Sequence, residues 1–266
     1  MGDAFSPLEV GGFSLRDVDH FPDKEWSVAL TASARATAAV RAIDIPLGTL
    51  DPHMSSDPAV EIKDIIALRN QYLSMRASEI ADQRGAFDHY FMAMLGMSPS
   101  ISRPVATMVA FGIELGGMIG LEHKLHHNVA RPVQRFPGLM PFLPTPPHAS
   151  FPSNHATQAF LVAQLLTDDL SAPDGWAPYL SAMATRIAIG REIGGVHYRS
   201  DSLAGRALGT AIHDALMAST AKVHGKTFRE HKAEAMADLG CAFKGNVAEP
   251  DIFAGIWDLD RMERGL

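Results

Sequence analysis

The chain contains a single cysteine, Cys241, in 266 residues. No internal disulfide can form, so nothing in the fold requires an oxidising compartment. Cations are in short supply too: 23 Lys and Arg stand against 30 Asp and Glu, a formal net charge of -7. A nucleic acid or an anionic membrane wants a broad spread of Lys and Arg. Such partners are therefore excluded, and any positive potential must be local. Long apolar runs are missing as well. The longest stretch, Val105 to Leu121, carries Glu114 and four glycines and falls short of the roughly 20 residues that span a bilayer. No transmembrane segment is expected. The start, Met1 to Ser6, shows no basic stretch leading into an apolar run, so no secretory leader is legible and a cytoplasmic location is expected. Internal repeats and low-complexity linkers are also absent, which leaves one domain over 1–266 as the expectation.

A composition 47% hydrophobic and 20% charged fits a folded globular protein with one large core. Strand signals are scarce, while Ala, Leu and Met recur at helical spacing almost throughout. The pattern predicts an all-helical protein. The helices expected are Trp26 to Ile43, about Val60 to Arg84, and Ala86 to Met97. A fourth is expected from a cap at Ser100 to about Asn128, where Arg131-Pro132 stops it. Between Pro132 and Pro152 stand Pro137, Pro141, Pro144, Pro146 and Pro147, enough to exclude regular helix and give a stiff, extended excursion. Long loops of this kind are usually functional. Further helices are expected from Ser153 or Asn154 to Leu170, Trp176 to Glu192, Ser200 to Val223, and Phe228 to Leu239.

Three blocks carry chemistry. Lys124 and Arg131 are seven apart, so on one continuous helix both would leave the same face near its C-terminal end and converge on an anion. Pro152-Ser153-Asn154-His155-Ala156 opens a helix, whose free N–H groups and the Ser153 hydroxyl suit an oxyanion. Taken alone, this block reads equally well as a plain N-cap. In the third block Arg191 precedes His197 across Gly194-Gly195, which lets the backbone fold both toward a common point. Asp201, four residues after His197, can hold one ring nitrogen and leave the other as a nucleophile or ligand. His123, His126 and His127 flank Lys124, but without the HEXXH order they read as a helix-surface cluster rather than a metal site.

In this order and spacing, Lys124-x6-Arg131-Pro132, Pro152-Ser153-Asn154-His155 and Arg191-x5-His197-x3-Asp201 resemble the signature of the type 2 phosphatidic acid phosphatase (PAP2) and vanadium haloperoxidase superfamily. The resemblance covers Lys124 to Asp201 and implies an all-α helical bundle of that type, in a soluble form. Two positions depart from it: Asn154 stands in place of a glycine, and Gly190 in place of a serine. Asn154 is expected to narrow the pocket or to add an amide contact.

The resemblance implies that Lys124, Arg131, Ser153, Asn154 and Arg191 bind the oxygens of phosphate or vanadate. It implies His197 as the covalent centre, His155 as acid and base, and Asp201 as the group orienting His197. A phosphatase acting on a phosphomonoester, or on a lipid or isoprenoid phosphate, through a phosphohistidine is expected first, with no cofactor. The alternative is a haloperoxidase in which His197 ligates vanadate and peroxide oxidises a halide, bromide ahead of chloride, or an organic substrate. His148 resembles a second histidine of brominating members, whereas Leu121 lacks the Trp or Arg of well-known peroxidases. A third reading is a non-catalytic phosphate-binding helical protein. Phe136, Met140, Phe142 and Leu143 are expected to offer apolar surface beside the pocket, and apolar helices at both ends suggest a homodimer.

Overall fold

The computed structural model describes residues 27–52, 57–167 and 176–243, and the regular elements among them are helices apart from one small hairpin. The long helices start where a side chain can accept one of the first free N–H groups. Ser27 takes the Leu30 N–H at 3.1 Å and opens α1, Val28–Ala42. Asp57 takes the Ala59 N–H at 3.0 Å and opens α2, Pro58–Asp82. The short α3, Asp88–Met94, follows. For α4, Arg103–His127, the cap is Ser102 rather than the expected Ser100. Ser102 Oγ accepts the Val105 N–H at 3.2 Å and donates to Asp238 at 2.8 Å, whereas Ser100 bonds Ser98.

The far end of α4 also departs from expectation. Asn128 turns left-handed, with φ 47°, and its N–H closes on the Lys124 carbonyl at 2.9 Å. Arg131 therefore lies beyond the helix, in extended backbone, and not on its face. The proline-rich excursion holds two single turns that were expected to be excluded: α5, Pro132–Arg135, and a 3-10 turn at Pro137–Leu139. Each places its proline at the start, where the missing N–H costs nothing.

After it come α6 (Asn154–Leu165), α7 (Trp176–Ile193) and α8 (Arg199–Ala218). The last stops at Ser219 instead of running to Val223. The chain then makes a hairpin of β1, Lys222–Val223, and β2, Lys226–Thr227, around His224 and Gly225, both at positive φ, before α9, Phe228–Phe243. α6 ends at Leu165, with Leu166 as its C-cap, short of the expected Leu170; Leu170 itself and the helix start expected at Trp26 lie outside the described residues.

α4 runs through the core, with α1 and α6 packed against it, and α6 is flanked in turn by α7 and α8. The stretch Arg103–Arg135 containing α4 is long and apolar enough to cross a membrane, and 61% of its apolar window is buried inside the fold. Gly112 and Gly116 let α6 lie close: a Cβ would stand 2.8 Å from Val162 Cγ2 at the first and 3.1 Å from Gln158 Cα at the second. One turn further, a Cβ at Gly120 would run into the Asn154 side chain. This seam fixes where α6 begins, and with it Ser153 and His155.

Candidate functional site

Lys124, Arg131 and Arg191 are each only 1% exposed. Cations are seldom buried so completely unless a partner compensates them. Here the partners are mostly backbone carbonyls. Lys124, in the last turn of α4, donates to Ala149 O at 3.0 Å and Ser150 O at 2.6 Å. Arg131 donates to His148 O at 3.0 Å and Val196 O at 2.6 Å. Arg191, in the last turn of α7, donates to Ile80 O at 2.7 Å and leaves a buried Nε without a partner. None of the three has a carboxylate within salt-bridge distance among the described residues.

His197 follows the turn at Gly195, where φ is 77°. Its Nδ1 is 2.9 Å from Asp201 Oδ2, and its Nε2 is 3.1 Å from Arg131 Nη1. A guanidinium can only donate, so Nε2 must be the accepting nitrogen and Nδ1 must carry the proton. The ring is thus neutral, with its lone pair on Nε2. Burial, then Arg131 and Lys124, hold its pKa well below the usual value, which agrees with that state. Asp201 also accepts from Ser150 Oγ at 2.5 Å and Tyr198 N at 3.0 Å. Burial nevertheless pushes it up to about 6, against the opposing pull of these donors and the nearby cations.

Ser153 accepts the Ala156 N–H at 3.4 Å, so it caps α6 while its own N–H bonds the Asp201 carbonyl at 2.9 Å. That second bond ties the start of α6 to the start of α8. His155 lies half-buried in the first turn of α6, with Nε2 3.0 Å from Gln83 O and the ring against Phe87. Desolvation and the Arg191 cation pull its pKa down to about 3. Asn154 does not add an amide contact to the pocket. Its Nδ2 donates to Gly117 O at 3.3 Å, so the side chain faces α4 in the space that Gly120 leaves.

His148 joins the site through a shared partner: Arg131 Nη2 is 3.1 Å from its Nδ1, so one guanidinium spans His148 and His197. Leu121 is 47% exposed on α4 and brings no polar group. Phe136, Met140 and Phe142 are exposed as expected, but Leu143 is buried against Gly194 and cannot form rim surface. His123 is not a surface residue either. It is 0% exposed, both its ring nitrogens lack partners, and burial lowers its pKa to about 4. No set of three His, Cys, Asp or Glu side chains among the described residues could hold a metal ion. Sequence reasoning missed Ser150 and the carbonyls of Ile80 and Gln83. Backbone acceptors have no residue signature, and a lone serine after a proline run gives none.

A direct consequence concerns Lys124, whose pKa burial and the Arg131 cation lower to about 7. A bound oxyanion reverses that effect and favours the charged amine. Oxyanion binding at about pH 7.5 is therefore expected to take up a fraction of a proton, approaching one as the pH rises. Titration calorimetry with phosphate in buffers of different ionisation enthalpy measures this uptake. An uptake equal to that of Lys124→Met would show that Lys124 does not face the anion.

Residues 105–224, which contain all three blocks, match the family model described as the PAP2 superfamily. That segment is similar to the PAP2 superfamily. A solved structure, described as the crystal structure of the first bacterial vanadium-dependent iodoperoxidase, is similar at 20% identity with a TM-score of 0.46. The likeness covers 63% of this chain and 52% of that one, about half of the iodoperoxidase's length. No curated protein matches this sequence.

Proposed function

We propose that this protein, PAP2-like over residues 105–224, hydrolyses a phosphomonoester by way of a phosphohistidine on His197. The observation that carries the reading is the buried cation set: Arg131 bonded to His197 Nε2, with Lys124 and Arg191 buried on carbonyl partners, and Asp201 as the carboxylate bonded to the nucleophile. A tetrahedral dianion supplies the charge that these cations lack. With Nδ1–H held by Asp201, the Nε2 lone pair attacks phosphorus, forming the N–P bond as the P–O bond to the alcohol breaks. His155 gives its proton to the departing oxygen, then accepts one from the water that cleaves the N–P bond. To act as an acid His155 must first gain a proton. The bound dianion favours this by offsetting Arg191 and Lys124, the cations that lower its pKa.

A second reading is supported by the Arg131 bridge, which sets His148 beside the same anion position. The same residues fit vanadate, with His197 Nε2 as the ligand and Lys124, Arg131 and Arg191 around the oxygens. Vanadate would there supply the activation of peroxide toward a halide. The discriminating experiment assays purified protein on a panel of phosphomonoesters, and separately with vanadate, peroxide and bromide or iodide. Ester turnover inhibited competitively by vanadate is expected. Halide oxidation without any ester turnover would replace the first reading by the second, and failure of both would leave an oxyanion-binding protein.

A further inference from the structure

Ser150, near the end of the proline-rich excursion, is 0% exposed, and each of its polar groups goes to a different part of the site. Its N–H bonds Val129 O at 2.8 Å, which fastens the excursion to the segment just past α4. Its carbonyl accepts Lys124 Nζ at 2.6 Å, and the preceding carbonyl, Ala149 O, accepts the same ammonium at 3.0 Å. Its hydroxyl lies 2.5 Å from Asp201 Oδ2. An ionised carboxylate can only accept, so the hydroxyl is the donor. His197 Nδ1–H and the Tyr198 N–H arrive at that same oxygen, at 2.9 and 3.0 Å. His197 and Tyr198 belong to the turn that carries Asp201 and move with it, whereas Ser150 comes from 51 residues away. The torsion that turns an aspartate carboxylate is broad. A donor from outside the turn therefore pins Oδ2 against the frame that also anchors Lys124.

We propose that Ser150 is a positioning residue: its hydroxyl holds Asp201, and through it the His197 ring, in register with the Lys124 ammonium that its own carbonyl anchors. This rests on the oxyanion-site reading above. The side chain and the main chain of one residue thus serve separate tasks, the first aligning the attacking nitrogen and the second placing a cation for the anion. Ser150→Ala separates them, because alanine lacks the hydroxyl and keeps the carbonyl. Alignment should suffer while the cation stays where it is.

In Ser150→Ala, kcat on a phosphomonoester is expected to fall about 10–100-fold, the usual cost of removing an outer hydrogen-bond partner. Phosphate affinity by calorimetry should stay within about threefold of wild type. A double-mutant cycle decides whether the hydroxyl acts through the carboxylate: in an Asp201→Ala background, Ser150→Ala should lower kcat by less than about twofold. The full loss in that background, or an unchanged kcat in the single variant, overturns the proposal. The His197 Nδ1 proton supplies a readout that needs no turnover. Its downfield NMR signal, assigned by its disappearance in His197→Ala, is expected to shift or broaden in Ser150→Ala, and an unmoved signal is equally fatal. Should Ser150→Ala fail to fold, Ser150→Cys, close in size with a weaker donor, takes its place under the same outcomes. If wild type turns over no ester, the phosphatase reading is lost, and a moved Nδ1 signal still sustains this inference while an unmoved one removes it too.

Discussion

Replacing His197 with alanine is expected to lower phosphomonoester turnover by about 10^4-fold or more, while phosphate affinity falls by no more than about tenfold. The two numbers separate because the residues divide the work. Nε2 carries the lone pair beside Arg131, with its tautomer fixed by Arg131 on one side and Asp201 on the other. Nothing within the block replaces it: His155 is occupied with Gln83 O, and His148 is turned to the outer arm of Arg131. Lys124, Arg131 and Arg191 all keep their carbonyl anchors without the imidazole, so the charge that attracts the anion stays in place. Asp201 likewise keeps Ser150 and the Tyr198 N–H. Single-turnover assays, with calorimetric phosphate titration of the same sample, measure both quantities. Turnover surviving within tenfold of wild type would rule out the nucleophile assignment. A collapse of phosphate affinity by 10^3 or more would instead mean that His197 is chiefly a ligand, as the vanadate reading requires.

The parts of the site that were legible in sequence are those whose signal is local. Ser153 caps a helix because it follows a proline run and precedes apolar spacing, and the structure gives it that role. Gly194-Gly195 marks a break, and the positive φ at Gly195 makes the turn that brings His197 round. Asp201 meets His197 because four residues across a helix start place them together. What failed to show depended on distant partners. Lys124 and Arg131 do converge on the site, but through a left-handed Asn128 and an extended segment rather than along one helix face. The basic last turn with an Asn after it was a readable stop signal. Asn154 was expected to look into the pocket, and only the packing of Gly117 and Gly120 against it explains why it turns away. Ser102 outcompetes Ser100 as a cap because it also reaches Asp238, which is 136 residues further along the chain. His123 reads as polar on a helical wheel, yet α4 runs through the core, so this position is enclosed.

The largest loss of stability is expected from Gly205→Val, a position without any catalytic atom. α8 crosses α6 there so closely that a Cβ would stand 2.6 Å from Ser153 O, 2.7 Å from Ala156 Cβ and 3.0 Å from Thr157 N. Two of these are backbone atoms of the first turn of α6, which cannot rotate aside as a side-chain tip would. Ala at 205 must push the helices apart, and Val adds two methyl groups to the same clash. Overpacking of a well-packed contact costs roughly 1–3 kcal/mol per insertion, and more where backbone must move. About 3 kcal/mol or more is expected for Val, which in a chain of this size corresponds to a fall in Tm of roughly 6–12 °C. The separation also stretches the Ser153 N–H to Asp201 O bond, 2.9 Å in the native packing, which joins the cap of α6 to the residue holding His197. Gly205→Ala should therefore lose kcat/KM even where it still folds, with kcat falling more than phosphate affinity. Gly85→Ala is the matched control, since a Cβ there meets nothing within 4 Å and the position has no positive φ. Thermal melts and kinetics on the three variants test this. A Gly205→Ala protein with the Tm and kcat/KM of Gly85→Ala would show that the α6–α8 contact does not position the site.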